Sequence, residues 1–348
     1  MRREILVSSL FAIALAGCGV EFDPPSEVKS LRVLGIHKTA PYATPGEDVT
    51  LSMLWHDGSP KAPRAVQVAW LSGCFNPPGD LYAGCAESFA AGAGGSGGSS
   101  GGIPGLPPGI TVGTGDTFTF TMPADVISSR PPPDDPKVPP YGLAYVFFAV
   151  CAGELGPAAT GAQAATFPIG CFDADGDPLG ADDFVAGYTA VYGYDSIRNE
   201  NPIITGFKFN GVSVTPSCQN EECLTVPQQT PDCAGGDPCI DPCSKDGDPD
   251  CPAYDITAIV DPASAESDEV SKLAYDRSVS EQLWVDYYVD RGGVKSPVKL
   301  VNDAQKGFND DYSTEFYAPK KSGTLSIWAV VHDNRGGMSW VRTEVGVR

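Results

Sequence analysis

Apolar and polar residues alternate with a period of two along several short stretches in the first half of the chain. Residues 48–55, 66–70 and 117–122 each place apolar side chains on one face and mostly polar ones on the other, which predicts half-buried strands. Residues 143–151 are apolar on both faces, as expected for a central strand that is covered on each side. A further strand is predicted over residues 184–194.

A second series of short apolar stretches follows Asn201-Pro202. The run from His332 to Gly337 has the Asn/Gly chemistry of a tight hairpin, and its polarity places it at a tip. Residues 270–283 predict one short helix. The candidate strands of this half are residues 203–214, 254–260, 283–289, 314–317, 325–331 and 340–347.

Many short strands, frequent Gly and Pro turns and little helix predict an all-β protein made of two β-sandwich domains. A boundary at residues 199–202 divides the chain into residues 28–198 and residues 199–348. Within the first domain, the Gly/Ser-rich residues 91–109 predict a flexible loop, because they cannot bury enough apolar surface to become ordered. Residues 215–252 hold six cysteines and almost no apolar side chains, so a disulfide-rich insertion is predicted in the second domain.

The N-terminal residues have the three parts of an export signal. Two arginines near the start precede an apolar run that is too short to span a bilayer, and small residues follow it. Leu15-Ala16-Gly17-Cys18 resembles the bacterial lipobox, which implies removal of residues 1–17 and lipidation of Cys18; an ordinary secretory signal is the alternative. Gly19 after the cysteine points, in that family's sorting pattern, to the outer membrane. Residues 18–27 are then a lipidated tether, and the rest of the chain is expected to be soluble.

The other ten cysteines form an even set, which in an oxidising compartment predicts up to five disulfides. Local pairs are expected between Cys74 and Cys85 and between Cys151 and Cys171. The six cysteines of residues 215–252 permit 15 pairings and stay unassigned. Zinc is the disfavoured alternative, because the C-x₂-C spacing of zinc ribbons is missing. The candidates are Cys74, Cys85, Cys151, Cys171, Cys218, Cys223, Cys233, Cys239, Cys243 and Cys251.

Four segments resemble recurring parts of uncharacterised bacterial outer-membrane lipoproteins with immunoglobulin-like or fibronectin type III-like domains. They touch both halves of the chain and are strand and turn motifs: residues 28–34, 43–51, 201–206 and 328–337. The resemblance implies that both sandwiches are immunoglobulin-like. It supplies no catalytic residues.

The composition argues against several classes of function. A formal charge of −21 and the lack of a basic patch with interleaved aromatics argue against nucleic-acid binding. Only three histidines occur, His37, His56 and His332, far apart and without HExxH spacing, so solvated or packed histidines are favoured over a catalytic or zinc site. A formal G-x-S-x-G match at Gly94 lies in a glycine tract and lacks the context of a nucleophile elbow. We predict no catalytic residues and no cofactor.

Two acidic clusters raise the possibility of structural calcium. Alternate carboxylates beside glycine can converge on one Ca²⁺ ion. Neither cluster has the full EF-hand order, and solvated Asp/Gly turns are the favoured alternative. The candidate ligands are Asp173, Asp175, Asp177, Asp246, Asp248 and Asp250.

These features favour a non-catalytic, lipid-anchored surface protein with a structural, adhesion or scaffolding role. The alternatives are a glycan- or protein-binding module of the cell envelope and, less favoured, a carbohydrate-active or proteolytic enzyme. For a glycan platform the candidates are Trp70, Trp284, Trp328 and Trp340. Trp70 shares the apolar phase of its strand and is expected in the core, whereas Trp328 and Trp340 are expected to face each other across the last hairpin and to be partly exposed.

Overall fold

A computed structural model describes residues 24–85, 110–158, 167–245 and 248–348. None of the helices within these ranges is long and apolar enough to cross a lipid bilayer. The described part of the first half has ten strands: β1 (Leu31–Lys38), β2 (Tyr42–Ala43), β3 (Asp48–Asp57), β4 (Gln67–Phe75), β5 (Thr111–Thr114), β6 (Thr117–Thr121), β7 (Gly142–Cys151), β8 (Glu154–Pro157), β9 (Ile169–Phe172) and β10 (Phe184–Gly193).

The second half continues with short strands and two short α-helices. These are β11 (Ile204–Phe209), β12 (Val212–Val214), β13 (Cys218–Gln219), α1 (Glu222–Thr225), β14 (Cys239–Ile240), β15 (Ala253–Val260), α2 (Glu269–Tyr275), β16 (Leu283–Val289), β17 (Gly293–Val294), β18 (Val298–Asp303), β19 (Gly307–Phe308), β20 (Thr314–Tyr317), β21 (Gly323–Asp333) and β22 (Met338–Val347).

Two sheets from the first half enclose one apolar core. The three-stranded sheet has the order β1-β3-β6, and the five-stranded sheet has the order β2-β10-β7-β4-β5. The alternation predicted for residues 48–55 places Val49, Leu51 and Met53 in this core, where Trp70 is also fully buried. The indole of Trp70 donates to the carbonyl of Gly115 over 2.8 Å, so its one polar atom is satisfied.

Two sheets from the second half enclose a second core. Their orders are β12-β11-β15-β20-β17 and β13-β22-β21-β16-β18-β19, and β14 also pairs with β22. Phe207, Tyr287 and Phe316 are its largest fully buried side chains. The hydroxyl of Tyr287 accepts a hydrogen bond from the amide of Ala258 over 3.0 Å, which ties one sheet to the other through the core.

The two sheet pairs pack side by side along a third apolar layer, here called the seam. In it β1 and β3 face β21 and β22, so the four sheets form one stack. Trp328 and Trp340 lie in the seam, 3% and 0% exposed. The remaining buried members are Val28, Leu34, Leu54, Cys218, Cys223 and Val330.

The last residues of the predicted tether are docked on the second sheet pair. The amide of Val28 donates to the carbonyl of Val289, and the amide of Val289 donates to the carbonyl of Ser26, each over 2.8 Å. Ser26 and Val28 are fully buried. From Ser26 onward the chain is therefore held by strand-like pairing beside the end of β16.

Three local expectations differ from the structure. Residues 203–214 form a hairpin rather than one strand, because Asn210 and Gly211 adopt positive φ and turn the chain. The helix expected over residues 270–283 is Glu269–Tyr275; Asp276 ends it in the left-handed conformation, and its cap amide bonds to Lys272. The tip of the last hairpin is largely buried: Asp333 bonds to Asn199, Arg335 bonds to Glu281, and Lys38 of the first sheet pair donates to the carbonyl of Gly336.

The ten described cysteines form five disulfides. The pairs Cys74–Cys85 and Cys151–Cys171 are those expected from the sequence. The insertion at residues 215–252 uses sequential pairs, Cys218–Cys223, Cys233–Cys239 and Cys243–Cys251. It is also held by backbone pairing of β13 and β14 with β22. The predicted loop 91–109 lies outside the described residues.

Candidate functional site

A group of tyrosines covers the outer surface of the five-stranded sheet. Strand alternation explains it: Val146 and Val191 point into the core, so Tyr145, Tyr188 and Tyr192 point outward. Loop residues add further rings beside them. We call this surface the tyrosine face; its members are Tyr42, Tyr82, Tyr141, Tyr145, Tyr188, Tyr192 and Tyr194.

Two rings of this face are open to solvent. Tyr82 is 48% exposed and Tyr188 is 44% exposed. Their rings stack with centroids 4.3 Å apart and planes 23° apart, while Tyr145 meets Tyr188 edge to face at 5.4 Å. The disulfide between Cys74 and Cys85 closes the loop that carries Tyr82. The ring of Tyr82 is therefore held on the sheet by a covalent link.

Charged groups beside the rings neutralise one another. The guanidinium of Arg130 donates twice to the carboxylate of Asp80, over 2.8 and 3.0 Å, and lies 4.2 Å from the ring centre of Tyr141. The hydroxyl of Tyr141 donates to the same carboxylate. Burial opposes ionisation of Asp80, but the hydrogen bonds from Arg130 and Tyr141 outweigh it and lower its pKa.

The tyrosine face extends to the place where the two sheet pairs meet. The ring of Tyr42 lies 5.8 Å from that of Tyr192 and 5.0 Å from that of Tyr194. On its other side, the guanidinium of Arg335 lies 5.6 Å from the ring centre of Tyr42. Burial raises the pKa values of Tyr42 and Tyr194, so both phenols stay neutral and keep their protons for hydrogen bonding.

Arg335 belongs to a buried cluster that we call the ionic junction. Arg335 donates to the carboxylates of Glu281 and Glu266, and Glu281 is fully buried. Asp333 accepts from the amide of Arg335 over 2.7 Å and from the side-chain amide of Asn199 over 3.0 Å. The members are Lys38, Asn199, Glu266, Glu281, Asp333 and Arg335.

The ionic junction joins the two sheet pairs through hydrogen bonds. Lys38 of β1 donates to the carbonyl of Gly336 over 2.6 Å. Asn201 donates to the carbonyl of Lys38 over 2.7 Å and accepts from the amide of Met338 over 2.9 Å. Burial raises the pKa of Glu281 to about 8, with the charge of Asp333 adding to the effect and Arg335 opposing it. Burial also lowers the pKa of Lys38 to about 8 against the attraction of Asp333.

The tryptophans proposed as a glycan platform occupy other positions. Trp328 and Trp340 do not face each other across the hairpin, because Trp328 pairs with Arg342 and Trp340 with Val330. Both are buried in the seam, so the expectation of partial exposure was wrong; sheet packing removed them from solvent. Trp284 is half-buried.

Each of the three histidines lies against an indole ring. His37 meets Trp340 edge-on with centroids 6.0 Å apart, and His56 lies 4.7 Å from Trp328. His332 stacks on Trp284 at 5.1 Å, with planes 6° apart. Carboxylates contact two of the imidazoles: Glu221 contacts His37, and Asp286 contacts His332.

The proposed calcium ligands that the structure describes lie in solvent-facing turns. One oxygen of Asp173 accepts from the amides of Asp175 and Asp177, over 3.0 and 2.9 Å. Asp248 bonds to Lys245 and to the amide of Asp250, and Asp246 lies outside the described residues. Among the described residues, no group of three or more His, Cys, Asp or Glu side chains is arranged to hold a metal ion. Calcium binding at these turns stays a prediction.

Cys18, the proposed lipidation site, also lies outside the described residues, so its modification stays a prediction. The first described residues beyond it, at 24–28, lead into the strand pairing with Val289. This places the exit of the N-terminal segment at the Val289 end of the second sheet pair.

A surface groove of about 660 Å³ opens at the edge of the first sheet pair beside β5. Its walls are mostly apolar, with Val68, Val112 and Leu155 among them. Its one carboxylate, Asp116, accepts the indole hydrogen of Trp55 over 2.8 Å. The polar group that would orient a ligand there is therefore already engaged.

The sequence alone holds a periodic signal for the tyrosine face. Tyr145 and Phe147, and likewise Tyr188 and Tyr192, recur at even spacing on strands whose alternate residues are apolar. The bonding role of Asp80 gives no comparable local signal, because its partner Arg130 is fifty residues away.

Comparisons with known proteins give only distant structural similarity. No protein-family model and no curated protein matches the sequence. Fibronectin(III)-like modules of CbhA from Clostridium thermocellum match with 11% identity and a TM-score of 0.21, over 91% of this chain and 94% of that one. The tandem Ig repeats of Dlar match with 9% identity and a TM-score of 0.24, over 92% and 98%.

An α2-macroglobulin from Escherichia coli matches with 12% identity and a TM-score of 0.20; the match covers 95% of this chain and 23% of the longer one. TM-scores of this size carry no inference about activity or partners. The chain is thus a mostly β protein with five disulfides and a distant likeness to fibronectin type III-like and Ig-like modules.

Proposed function

We propose that this chain is a non-catalytic surface lipoprotein that is anchored in the bacterial outer membrane through Cys18 and serves adhesion or scaffolding. Its two sheet pairs would be immunoglobulin-like sandwiches, the second with the cysteine-rich insertion, packed into one body by the seam. The observation that carries the proposal is the tyrosine face, an aromatic surface on the five-stranded sheet that is open to solvent at Tyr82 and Tyr188. Tyrosines are enriched at binding interfaces because each joins a large apolar ring to one polar group.

The position of the tyrosine face relative to the N-terminal exit supports the proposal. The amide of Leu31, three residues after the docked Val28, donates to the carbonyl of Asp182, next to the first residues of β10. From there β10 runs toward Tyr192 and the ionic junction. Along β10, Tyr188 lies about 13 Å and Tyr192 about 26 Å from Phe184, so both rings lie away from the point where a lipid tether would leave. A partner could reach them without meeting the membrane.

The surroundings of the histidines favour binding over catalysis. All three imidazoles stack on or abut indoles, and burial lowers the pKa of His56 to about 4. An imidazole with so low a pKa is a weak base at neutral pH. The three histidine side chains thus contribute to packing between and within the sheet pairs.

Lipidation and surface display are tested together on the full chain. Metabolic labelling with a radioactive fatty acid should mark the wild type and leave Cys18→Ala unmarked. Whole cells displaying the protein should then adhere to a host or neighbouring-cell surface, with a loss on combining Tyr82→Ala with Tyr188→Ala. The matched control is Tyr275→Ala, which removes a tyrosine that is 69% exposed on α2. A wild-type protein that stays unlabelled would contradict lipidation at Cys18. Equal adhesion by all variants would contradict a role of the tyrosine face in adhesion.

A further inference from the structure

The chemistry of the tyrosine face selects one class of partner. We propose that it binds a neutral polysaccharide, with a sugar ring stacked on the outer side of Tyr82, whose ring rests on that of Tyr188. This inference rests on the proposed function and names the ligand of its binding face. It follows from the charge of the surface, the arrangement of the rings and the polar groups at their edges.

Charge argues for an uncharged ligand. The whole chain carries a formal charge of −21, which repels polyanions such as uronic-acid or sulfated polymers. On the tyrosine face itself, the carboxylate of Asp80 and the guanidinium of Arg130 cancel in a two-point ion pair. No other charged side chain among the described residues bonds to these rings' hydroxyls. This ion pair therefore adds no net charge beside the exposed rings.

The rings offer stacking surfaces of the kind that pyranose rings use. A sugar ring has one face of C–H groups, which packs on a flat aromatic ring, and a rim of hydroxyls that need hydrogen bonds. Tyr82 lies flat over Tyr188 at 4.3 Å, so the upper ring presents its outer side while the lower one supports it. The edge-to-face contact of Tyr145 with Tyr188 fixes the supporting ring further. Little side-chain entropy is then lost on binding, because the rings are already held.

Polar groups at the edge of the rings can satisfy the rim of a sugar. Each phenol hydroxyl can donate one hydrogen bond and accept others. The hydroxyls of Tyr82, Tyr188 and Tyr192 have no partner among the described residues, whereas those of Tyr141 and Tyr145 are bonded to Asp80. The hydroxyls of the exposed rings are thus available to a polyol, while those of Tyr141 and Tyr145 are engaged internally. An aliphatic surface would leave sugar hydroxyls unpaired at a cost.

A polyproline segment is the competing occupant, since such segments also dock on aromatic surfaces. Grooves for polyproline need ridges of rings with hollows between them. Here the two exposed rings are stacked face to face on each other, so they form one raised platform. The observations favour the flat ring of a sugar.

The experiment measures binding of the purified lipoprotein in detergent to immobilised polysaccharides by surface plasmon resonance. The probes are neutral glucan, mannan and galactan, an anionic polyuronate, and a proline-rich peptide. We expect at least one neutral polymer to bind and the polyuronate not to bind. Tyr82→Ala and Tyr188→Ala should each weaken neutral binding tenfold or more, and Tyr275→Ala should leave it unchanged.

The conservative variants Tyr82→Phe and Tyr188→Phe separate the two parts of the mechanism. They keep the rings and remove the hydroxyls, so we expect a smaller loss, between twofold and fivefold. Thermal melting of every variant checks that the first sheet pair remains folded. Binding by the polyuronate alone, binding by the proline-rich peptide alone, or no binding to any neutral polymer would each overturn the inference. If cell adhesion still needs Tyr82 and Tyr188 in those cases, the proposed adhesion role survives and only its ligand is wrong.

Discussion

The imidazole of His56, on β3 of the first sheet pair, lies 4.7 Å from the indole of Trp328 on β21 of the second. His37 makes a similar contact with Trp340 one layer along the same seam. Two of the three histidines of the chain thus lie where the sheet pairs meet, in surroundings that favour their neutral form. The cohesion of the seam should therefore depend on pH.

We expect acid to weaken the structure through His56. Burial lowers its pKa in the folded protein to about 4 from the usual 6.5, so the unfolded chain binds more protons between these values. Its contribution is complete above about pH 6.5 and is lost as the pH falls toward 4, by at most about 3 kcal/mol. Urea unfolding between pH 4 and pH 7 measures this. The variant His56→Gln should show a shallower dependence, and equal slopes for both proteins would contradict the prediction.

The indole of Trp340 should be a main source of the stability of the seam. It is fully buried, and its Nε1 donates to the carbonyl of Asn220 over 2.8 Å. Trp340→Ala should lower the free energy of unfolding by about 3 to 5 kcal/mol, since it leaves a cavity and an unpaired carbonyl. Trp284→Ala is the control, at a half-buried ring outside the seam, and should cost less. A loss below about 1 kcal/mol for Trp340→Ala would show that the two sheet pairs are stable without the seam.

Breaking the ion pair of Arg335 should destabilise the protein more than neutralising Glu281. At pH 9, where Glu281 is ionised although burial raises its pKa to about 8, Arg335→Met leaves the fully buried carboxylate of Glu281 without its cation, which costs about 3 to 5 kcal/mol. Glu281→Gln keeps a hydrogen-bond acceptor and removes the buried charge, so its cost should be smaller. Arg198→Met is the matched control at an exposed pair with Glu47, for which less than about 1 kcal/mol is expected. Calorimetry of the three variants tests this order, and a reversed order would contradict it.

The pKa of Glu281 adds a pH dependence of the opposite sign. Because burial raises it to about 8 from 4.5, the folded state binds more protons than the unfolded state in that interval. The contribution is complete below about pH 4.5 and is lost as the pH rises through 8. Glu281→Gln should flatten the decline in stability between pH 5 and pH 8 relative to the wild type. A parallel decline in both proteins would show that Glu281 is ionised throughout.

The disulfides should differ in their effect according to the length of chain that they close. Cys151 and Cys171 are 20 residues apart, and Cys218 and Cys223 are 5 apart. Removal of the first pair by double serine substitution should cost about 3 kcal/mol, and removal of the second about 2 kcal/mol, since the longer link restricts the unfolded chain more. Denaturant midpoints of the two double variants test the ranking. Equal or inverted losses would show that native packing around Cys218 and Cys223 in the seam dominates.

The local apolar pattern predicted the positions of the strands well, but it predicted poorly where the chain turns and which sheet faces pack together. The alternation of residues 48–55 was enough to place Val49 and Leu51 in a core. The apolar spacing of residues 203–214 was misleading, because the Asn210-Gly211 turn overrides it. Trp340 has the same local pattern whether its sheet face meets solvent or another sheet, so its burial follows from contacts with β1, three hundred residues earlier.

The candidate site shows the same limit. Tyr145 and Tyr188 have a periodic signal, but their exposure depends on which loops cover the sheet. The partners of Arg335 come from three separate segments, at Glu266, Glu281 and the ring of Tyr42. Such a cluster has no spacing that a single sequence reveals, because its members meet only after both sheet pairs have formed.

The pairing of Ser26 and Val28 with Val289 has a mechanical consequence. A pulling force on the N-terminal segment reaches the two 2.8 Å hydrogen bonds between this stretch and Val289 before it reaches β1. The load passes first into β16 at the centre of the largest sheet, whose neighbours β18 and β21 share it. Drag on a tethered molecule would therefore be borne by the second sheet pair, and the rings of the first would keep their arrangement under tension.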